Sequence, residues 1–451
     1  FTYTLHADAS YVGNVLIGAS CTWSTGSDTY APAEAVTIEP AGGPAVPEVS
    51  ITSMSDQTAS QPYVGGETVT VRVTYGNIGG DAGVGVDGTL NFNGYGGVAS
   101  VTNPASVTVP AGGSATQDFD VTLTAPGTPG AIEIDCDWTG TAQTSGDPIS
   151  GSSGNNDLNL QIYAQASVSI TSIDDITASA PYVGGETFTV QVNYQNTGGV
   201  DALSVDGSLN YNGYGGVSTT SNPIAITVPA GGSASQQFSI TLSAAAISQL
   251  VQIDCDWTGT EQYSSRALSG SSGANDLDVQ IYRQADVSIT SITDVTGSAP
   301  YVGGQTFTVQ VNYQNVGDVD ATVDGTLNYN GYGGVSSTTN PTAVTVLAGN
   351  TANQQFDITL TAPGTTALVQ VDCSWTGTEQ YSSRALSGSS GANDLDVQVY
   401  RQAIVSITSI TDVTSSAPYV GGETFTVQVN YQNTGGVGAT DRKSTRLNSS
   451  H

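Results

Sequence analysis

The chain has 451 residues and a net charge of −31, with 8 Lys and Arg residues against 39 Asp and Glu residues. So few basic residues exclude the Lys and Arg clusters with which proteins bind nucleic acid or an anionic membrane surface. The sequence also lacks the run of about 18 apolar residues that membrane insertion as a helix requires. Abundant Gly, Ser, Thr and Asn favour turns and strands, and we therefore expect an all-β protein.

One short motif recurs along the chain and divides it into units. IDCDWTGT at 253–260 has close copies at 134–141 and 371–378 and a looser copy at 19–26. The cysteines of the four copies are spaced 115, 119 and 118 residues apart. Near-equal spacing identifies them as the same point of one repeating unit, which is long enough to bury its own core.

The repeat divides the chain into six segments. In order they are the C-terminal half of a unit with its proline-bearing linker, three complete units that we call repeats 1, 2 and 3, the start of a further unit, and a tail: 1–46, 47–165, 166–284, 285–402, 403–440 and 441–451. The tail resembles a translated sequencing adapter and is set aside as artefactual. The junctions AQA and RQA are too short to let neighbouring domains swing freely, which predicts an elongated array.

Repeat 2 predicts an antiparallel β-sandwich of roughly seven or eight strands with no helical period. The strands that its apolar alternation and turn residues indicate are 168–173, 187–195, 202–212, 225–228, 235–243, 250–257 and 276–282. The second and fifth of them have the clearest inward faces, formed by Phe188, Val190, Val192, Tyr194, Phe238, Ile240 and Leu242.

The motif strand itself predicts a buried thiol and a buried indole. Cys255 and Trp257 alternate with the polar Asp254 and Asp256, which places both on the core face. One cysteine per unit has no disulfide partner within its own domain, and a buried thiol usually packs as a small hydrophobe. An inter-chain disulfide and a reactive thiol are the alternatives. The same argument predicts the core residues Cys136, Trp138, Cys373 and Trp375.

Three stretches of repeat 2 resemble a known family. VGGETFTVQVNYQNTGGVDA (183–202), PAGGSASQQFSITL (229–242) and NDLDVQIY (275–282) are similar to the cell-adhesion-related domain of bacteria and archaea, CARDB. The resemblance covers residues 47–402, three times over. It implies an immunoglobulin-like sandwich that occurs in tandem on large secreted and surface proteins of prokaryotes. The family carries no catalytic residues to transfer.

The connection 258–275, nearly repeated at 376–393, is the longest predicted loop and a candidate binding element. It carries Tyr263 and Arg266, with Tyr381 and Arg384 as their counterparts, and these residue types make binding anchors. In an immunoglobulin topology this loop faces the preceding domain. An interdomain buttress and a plain solvated loop are therefore the alternatives.

A second candidate element is NYNGYGGVS at 210–218, which repeats at 328–336 and contains Tyr214 and its counterpart Tyr332. Tyr, Asn and Gly together resemble a recognition loop of rigid aromatic area on flexible backbone. The alternative is structural, with Gly213 at a positive φ and the tyrosine covering the end of the sandwich.

Four oxygen-bearing residues are predicted to lie together because their strands are neighbours. They are Asp254, Asp256, Asn275 and Asp276, and such a cluster is a candidate Ca²⁺ site. Ser374 replaces Asp256 in repeat 3, which weakens a shared ligand set. We expect no other cofactor, because no CxxC spacing occurs and histidine is scarce.

The sequence predicts no enzyme, since no Ser-His-Asp arrangement can recur when His6 is the one histidine ahead of the tail. The expected function is therefore a secreted or cell-surface stalk or adhesin spacer of a prokaryote. The alternatives are an array of modules that bind extracellular proteins or glycans, and accessory domains of a secreted hydrolase.

Overall fold

The computed structural model describes residues 45–362, 364–415 and 417–440 in full and, ahead of them, the backbone of four strands. Those four are β1 (Gly13–Ile17), β2 (Ser20–Trp23), β3 (Gly26–Thr29) and β4 (Glu34–Ile38). The predictions for the rest of 1–44 and for 441–451 lie outside the described residues. The described residues are all-β, as predicted, and they form no helix able to cross a membrane.

Each repeat contains ten strands. In repeat 1 they are β5 (Val49–Asp56), β6 (Tyr63–Val64), β7 (Thr68–Asn77), β8 (Gly83–Asn91), β9 (Val98–Val101), β10 (Val107–Val109), β11 (Ser114–Leu123), β12 (Gly130–Ala142), β13 (Pro148–Ser152) and β14 (Leu158–Tyr163). In repeat 2 they are β15 (Val168–Asp175), β16 (Tyr182–Val183), β17 (Thr187–Asn196), β18 (Ala202–Asn210), β19 (Val217–Thr220), β20 (Ile226–Val228), β21 (Ser233–Leu242), β22 (Gln249–Glu261), β23 (Ala267–Ser271) and β24 (Leu277–Tyr282).

Repeat 3 follows the same order, and a short hairpin comes after it. Its strands are β25 (Val287–Asp294), β26 (Tyr301–Val302), β27 (Thr306–Asn315), β28 (Ala321–Asn328), β29 (Val335–Thr338), β30 (Val344–Val346), β31 (Thr351–Leu360), β32 (Ala367–Glu379), β33 (Ala385–Ser389) and β34 (Leu395–Tyr400). The hairpin consists of β35 (Val405–Asp412) and β36 (Val427–Asn433).

Two sheets face each other in every repeat. In repeat 2 one sheet has the order β15-β17-β21-β19, and the other has the order β16-β24-β22-β18-β20 with β23 paired to β22. All pairs are antiparallel except β16 with β24, which run parallel. Repeats 1 and 3 have the same topology. The chain is therefore a tandem array of immunoglobulin-like antiparallel β-sandwiches.

The two faces that were predicted to be inward are buried, which confirms the period-two prediction. Phe188, Val190, Val192 and Tyr194 are exposed by 1% or less, and Phe238, Ile240 and Leu242 by 2% or less. The motif strand belongs to the opposite sheet, and its apolar face is buried as well. The cysteines of repeats 1 to 3 are 0% exposed, and the tryptophans are 3–4% exposed: Cys136, Cys255, Cys373, Trp138, Trp257 and Trp375.

The loop predicted at 258–275 is much shorter in the structure. β22 continues to Glu261, and β23 pairs back on it from Ala267, so the connection between them is a tight turn. The prediction failed because neither segment has apolar alternation. β23 buries only Leu268, and the last residues of β22 are Thr, Gly and Thr before the glutamate. The short strands β16 and β19 were missed for the same reason.

A buried hydrogen-bond network joins the two sheets in each core. In repeat 2 the Gln236 carboxamide oxygen accepts hydrogen bonds from the Tyr194 hydroxyl at 3.0 Å and from the Gly207 amide at 2.9 Å. Gln236 is 2% exposed, so these bonds satisfy an otherwise costly polar group. Gln117 and Gln354 make the same bonds in the other repeats.

Candidate functional site at the repeat junctions

Repeats 1 and 2 each contribute side chains to the core of the repeat that follows. In repeat 1 the parallel pair β6 and β14 places Val64 beside Tyr163 at the C-terminal end of the domain. Val64 is 0% exposed because it is part of the core of repeat 2, and Tyr163 packs on the same core. Val183 and Tyr282 of repeat 2 enter the core of repeat 3 in the same way. Repeats 2 and 3 thus depend on their predecessors for part of their apolar burial.

The predicted binding tyrosines lie at these junctions. Tyr263 stacks on Tyr163 of the preceding repeat, with ring centroids 5.9 Å apart and an interplanar angle of 13°. Tyr381 stacks on Tyr282 at 5.9 Å and 16°. These are the contacts that the buttress alternative requires. The tyrosines remain 49% and 52% exposed, so half of each residue still faces solvent.

A buried glutamate fixes the residue that opens repeat 2. Glu261 is 2% exposed, and its carboxylate accepts the Ala166 amide at 2.6 Å. Arg266 donates to the two carboxylate oxygens at 2.8 and 3.1 Å, and the Ser264 hydroxyl donates at 2.5 Å. Arg266 also reaches the Ala166 carbonyl at 3.4 Å. We call Glu261, Ser264 and Arg266 the latch of repeat 2.

Repeat 3 has the same latch, formed by Glu379, Ser382 and Arg384 around Ala285. The sequence pointed to Arg266 and Arg384 but not to the glutamates. The signal that was present is a lone carboxylate at the end of a Thr-Gly-Thr strand with an arginine five residues later. A buried charge needs such a partner.

The partners of Glu261 outweigh the effect of its burial. Burial raises the pKa of Glu261, but the bonds from Arg266, Ser264 and the Ala166 amide together hold this pKa below its ordinary value. A lowered carboxyl pKa stabilises the folded state at every pH above the unfolded value of about 4.3. That stabilisation is lost as the pH falls through the lowered pKa.

The junction between repeats 2 and 3 has an additional polar contact. Arg283 pairs with Asp318 at 3.2 Å, and the Ser248 hydroxyl donates to the same carboxylate at 2.5 Å. Ala164 and Gly199 stand at the positions of Arg283 and Asp318 in the preceding junction, so no ion pair forms there. The pair is largely exposed and therefore contributes little by itself.

The glycine-rich element at 210–218 packs against its own domain. Tyr214 is 8% exposed, and its hydroxyl donates to the Ile247 carbonyl at 3.1 Å. Tyr332 makes the matching bond to Thr365 at 3.2 Å. Gly213 has a φ of +82°, as the structural alternative predicts. This arrangement leaves little of Tyr214 for a ligand.

The predicted calcium ligands of repeat 2 are only partly brought together. Asp254 lies near Asp276, which also accepts the Ser272 hydroxyl at 2.5 Å. The Asn275 side-chain amide donates to the Ile170 carbonyl at 2.9 Å, which commits it to the fold. Asp256 lies two residues farther along the strand and is exposed.

A tighter acidic group occurs in repeat 1, where Glu133, Asp135 and Asp157 place carboxylate oxygens within 4.8 Å of one another. Gln252 and Gln370 replace the glutamate in the other repeats. Repeat 2, from which the candidate ligands come, therefore has no counterpart of this group. Carboxylate oxygens are the ligands that Ca²⁺ prefers, and calcium binding stays a prediction.

Replacing Asp254 with asparagine is expected to raise the Tm of the full chain at pH 7 in EDTA. Burial raises the pKa of Asp254 and Asp276 raises it further, against a hydrogen bond from Asn212, so the ionised form is unfavourable in the fold. A raised carboxyl pKa costs stability as the pH rises through it. The gain should therefore vanish near pH 3, where the parent side chain is also neutral.

Thermal melts of the parent and the variant at pH 7 and pH 3 measure the difference in Tm. Asp256→Asn, on the exposed side of the strand, is the control. A Tm that is lower than that of the parent at pH 7 would contradict the interpretation.

Comparisons with known proteins assign no family. No family model matches the chain, and no curated protein matches it. The CARDB resemblance is therefore still a prediction.

Several solved structures are weakly similar to the chain. The Escherichia coli adhesin FdeC is 14% identical, with 79% of this chain and 98% of that chain covered and a TM-score of 0.26. A tetra-tandem repeat from the extending region of a large adhesion protein is 14% identical, with coverages of 86% and 82% and a TM-score of 0.21. Elastase-activated alpha-2-macroglobulin from Escherichia coli is 10% identical, with coverages of 88% and 36% and a TM-score of 0.20. TM-scores this low carry no argument about function.

Proposed function

We propose that the chain is a non-catalytic spacer segment of a prokaryotic surface stalk or adhesin, placed outside the cell. The observation that carries the proposal is the burial of Val64 and Val183, each in the core of the following repeat. Side chains shared in this way oppose bending at the junction, because bending would expose apolar surface. A spacer needs this property and no reaction chemistry.

The acidic, lysine-poor surface supports the same proposal. A net charge of −31 keeps neighbouring copies apart and keeps the segment soluble outside the cell. Repetition then adds length without adding new chemistry.

The test is to change the number of repeats in the intact, surface-anchored protein and to measure how far its distal end stands from the surface. Removing repeat 2 should lower the distal end by roughly 30 Å, the span of a strand of nine or ten residues. Replacing repeat 2 with a second copy of repeat 3 should leave the height unchanged. A height that does not follow repeat number would overturn the spacer proposal.

The half-exposed stacks of Tyr263 and Tyr381 favour a second candidate function, the binding of a glycan or an extracellular protein. Several weak sites on one chain would act through avidity. Tyr263→Phe together with Tyr381→Phe keeps both stacks and removes both hydroxyls, so it separates the two functions. Glycan-array binding by the parent that this variant loses would support the binding function.

A further inference from the structure

The residue types at five positions around each junction differ as a set between repeats. At repeat 2 they are Tyr163, Ala166, Glu261, Tyr263 and Arg266, and repeat 3 has the same residue types at Tyr282, Ala285, Glu379, Tyr381 and Arg384. At repeat 1 all five differ, as Pro44, Pro47, Ala142, Thr144 and Asp147. Repeats 2 and 3 are near copies of each other, so the informative comparison is with repeat 1.

The first link between these positions is a hydrogen bond. Glu261 accepts the amide of Ala166, the residue that opens repeat 2. Pro47 stands at that position in repeat 1 and has no amide hydrogen to donate. The residue that replaces the glutamate there is Ala142, which is 4% exposed. A carboxylate at that buried position would have no amide to accept, and an alanine requires none.

The second link is the charge that balances the glutamate. Where the glutamate is present, an arginine five residues later binds it, at 2.8 Å in repeat 2 and 3.0 Å in repeat 3. Where alanine replaces the glutamate, the arginine position holds Asp147, which could not neutralise a buried carboxylate.

The third link is aromatic. Tyr163 and Tyr263 stack across the junction, and neither of their counterparts in repeat 1, Pro44 and Thr144, can stack. Thr144 instead bonds within its own domain, where its amide and its hydroxyl donate to Asp81 at 2.9 and 2.8 Å.

We infer that the loop 261–266, which carries the latch, and the segment that opens its repeat are a matched pair. The residues of this loop determine which C-terminal end of a preceding repeat can be joined to repeat 2. A loop with Glu, Tyr and Arg accepts a preceding end of the form Tyr-x-x-Ala. A loop with Ala, Thr and Asp, as in repeat 1, is paired with a preceding linker that contains prolines. Glu261, Tyr263 and Arg266 are thus specificity-determining residues for the order of repeats, whatever the assembled chain does.

A double-mutant cycle in the full chain tests the inference, with Ala166→Pro, Glu261→Ala and both together. Pro47 shows that this position of the repeat accepts a proline. The readout is native-state hydrogen exchange of the Ser167 and Gly199 amides, which bond to Asn196 and Gln165 at the junction. Ala166→Pro breaks one bond to the charged carboxylate and should speed their exchange about tenfold. Glu261→Ala breaks that bond and those from Ser264 and Arg266, so it should speed exchange at least as much.

The double variant should exchange no faster than the Glu261→Ala variant, because the bond from the Ala166 amide is already absent there. If the two effects multiply instead, or if neither single change has an effect, the inference is overturned.

Ala166→Pro could also disturb the sandwich itself, and faster exchange within β17 would reveal this. A second cycle avoids the proline. Tyr163→Ala and Tyr263→Ala remove the stacked pair without a backbone constraint. Their combined effect should again fall short of the product of the single effects. If the effects of Tyr163→Ala and Tyr263→Ala are independent, that result alone overturns the inference that the two segments are matched.

Discussion

Replacing Trp257 with alanine is expected to lower the free energy of unfolding of repeat 2 by about 3–5 kcal/mol. The indole is 4% exposed, and its ring packs edge-on to Tyr194 with centroids 6.5 Å apart. It also lies directly beneath Gly270, where a Cβ would come within 2.7 Å of the indole nitrogen. The truncation would leave a cavity in a closely packed core.

Native-state hydrogen exchange of the β22 amides in the full chain measures this loss. Leu250→Ala is the matched control, because Leu250 lies on the same strand and is 57% exposed. Its effect should stay within about 0.5 kcal/mol. Equal effects of the two substitutions would contradict an inward-facing motif strand.

Replacing Ala142 with glutamate is expected to destabilise repeat 1 by about 3–5 kcal/mol, the cost of a buried charge without its partner. Ala142 is 4% exposed and occupies the position of Glu261. Repeat 1 offers this carboxylate neither an amide, because of Pro47, nor a cation, because Asp147 replaces the arginine. The same residue type that fixes repeat 2 should therefore disrupt repeat 1.

Adding Pro47→Ala and Asp147→Arg to the Ala142→Glu variant supplies the missing amide and guanidinium, and should recover most of the loss. Hydrogen exchange in β12 and β7 reports the stability of repeat 1 in each variant. If repeat 1 tolerates the glutamate without these additions, the amide and the arginine are not what keeps Glu261 buried in repeat 2.

Much of the sandwich could be predicted from the sequence because its strands have one apolar face. Period-two alternation placed Phe188, Tyr194 and Phe238 in the core, and the spacing of the cysteines indicated the repeat. Both signals are local or strictly periodic. The short strands were missed because each of them buries at most two side chains, too few for a period.

The junction was harder to predict because its contacts join residues far apart in sequence. Glu261 and the Ala166 amide are separated by 95 positions, and Tyr163 and Tyr263 belong to different repeats. Composition pointed to Tyr263 and Arg266 as contact residues but could not distinguish a ligand from a neighbouring domain. The glutamate lies in a strand with no apolar period, so only its buried position in the structure reveals its role.

Small-angle scattering from the intact chain in solution tests the central claim, that the repeats are separate sandwiches held end to end by fixed junctions. Three sandwiches of about 30 Å each predict a maximum dimension of at least about 90 Å. The account predicts an extended profile that keeps this dimension at neutral pH. A compact profile near the size of a single folded globule of this length would contradict it.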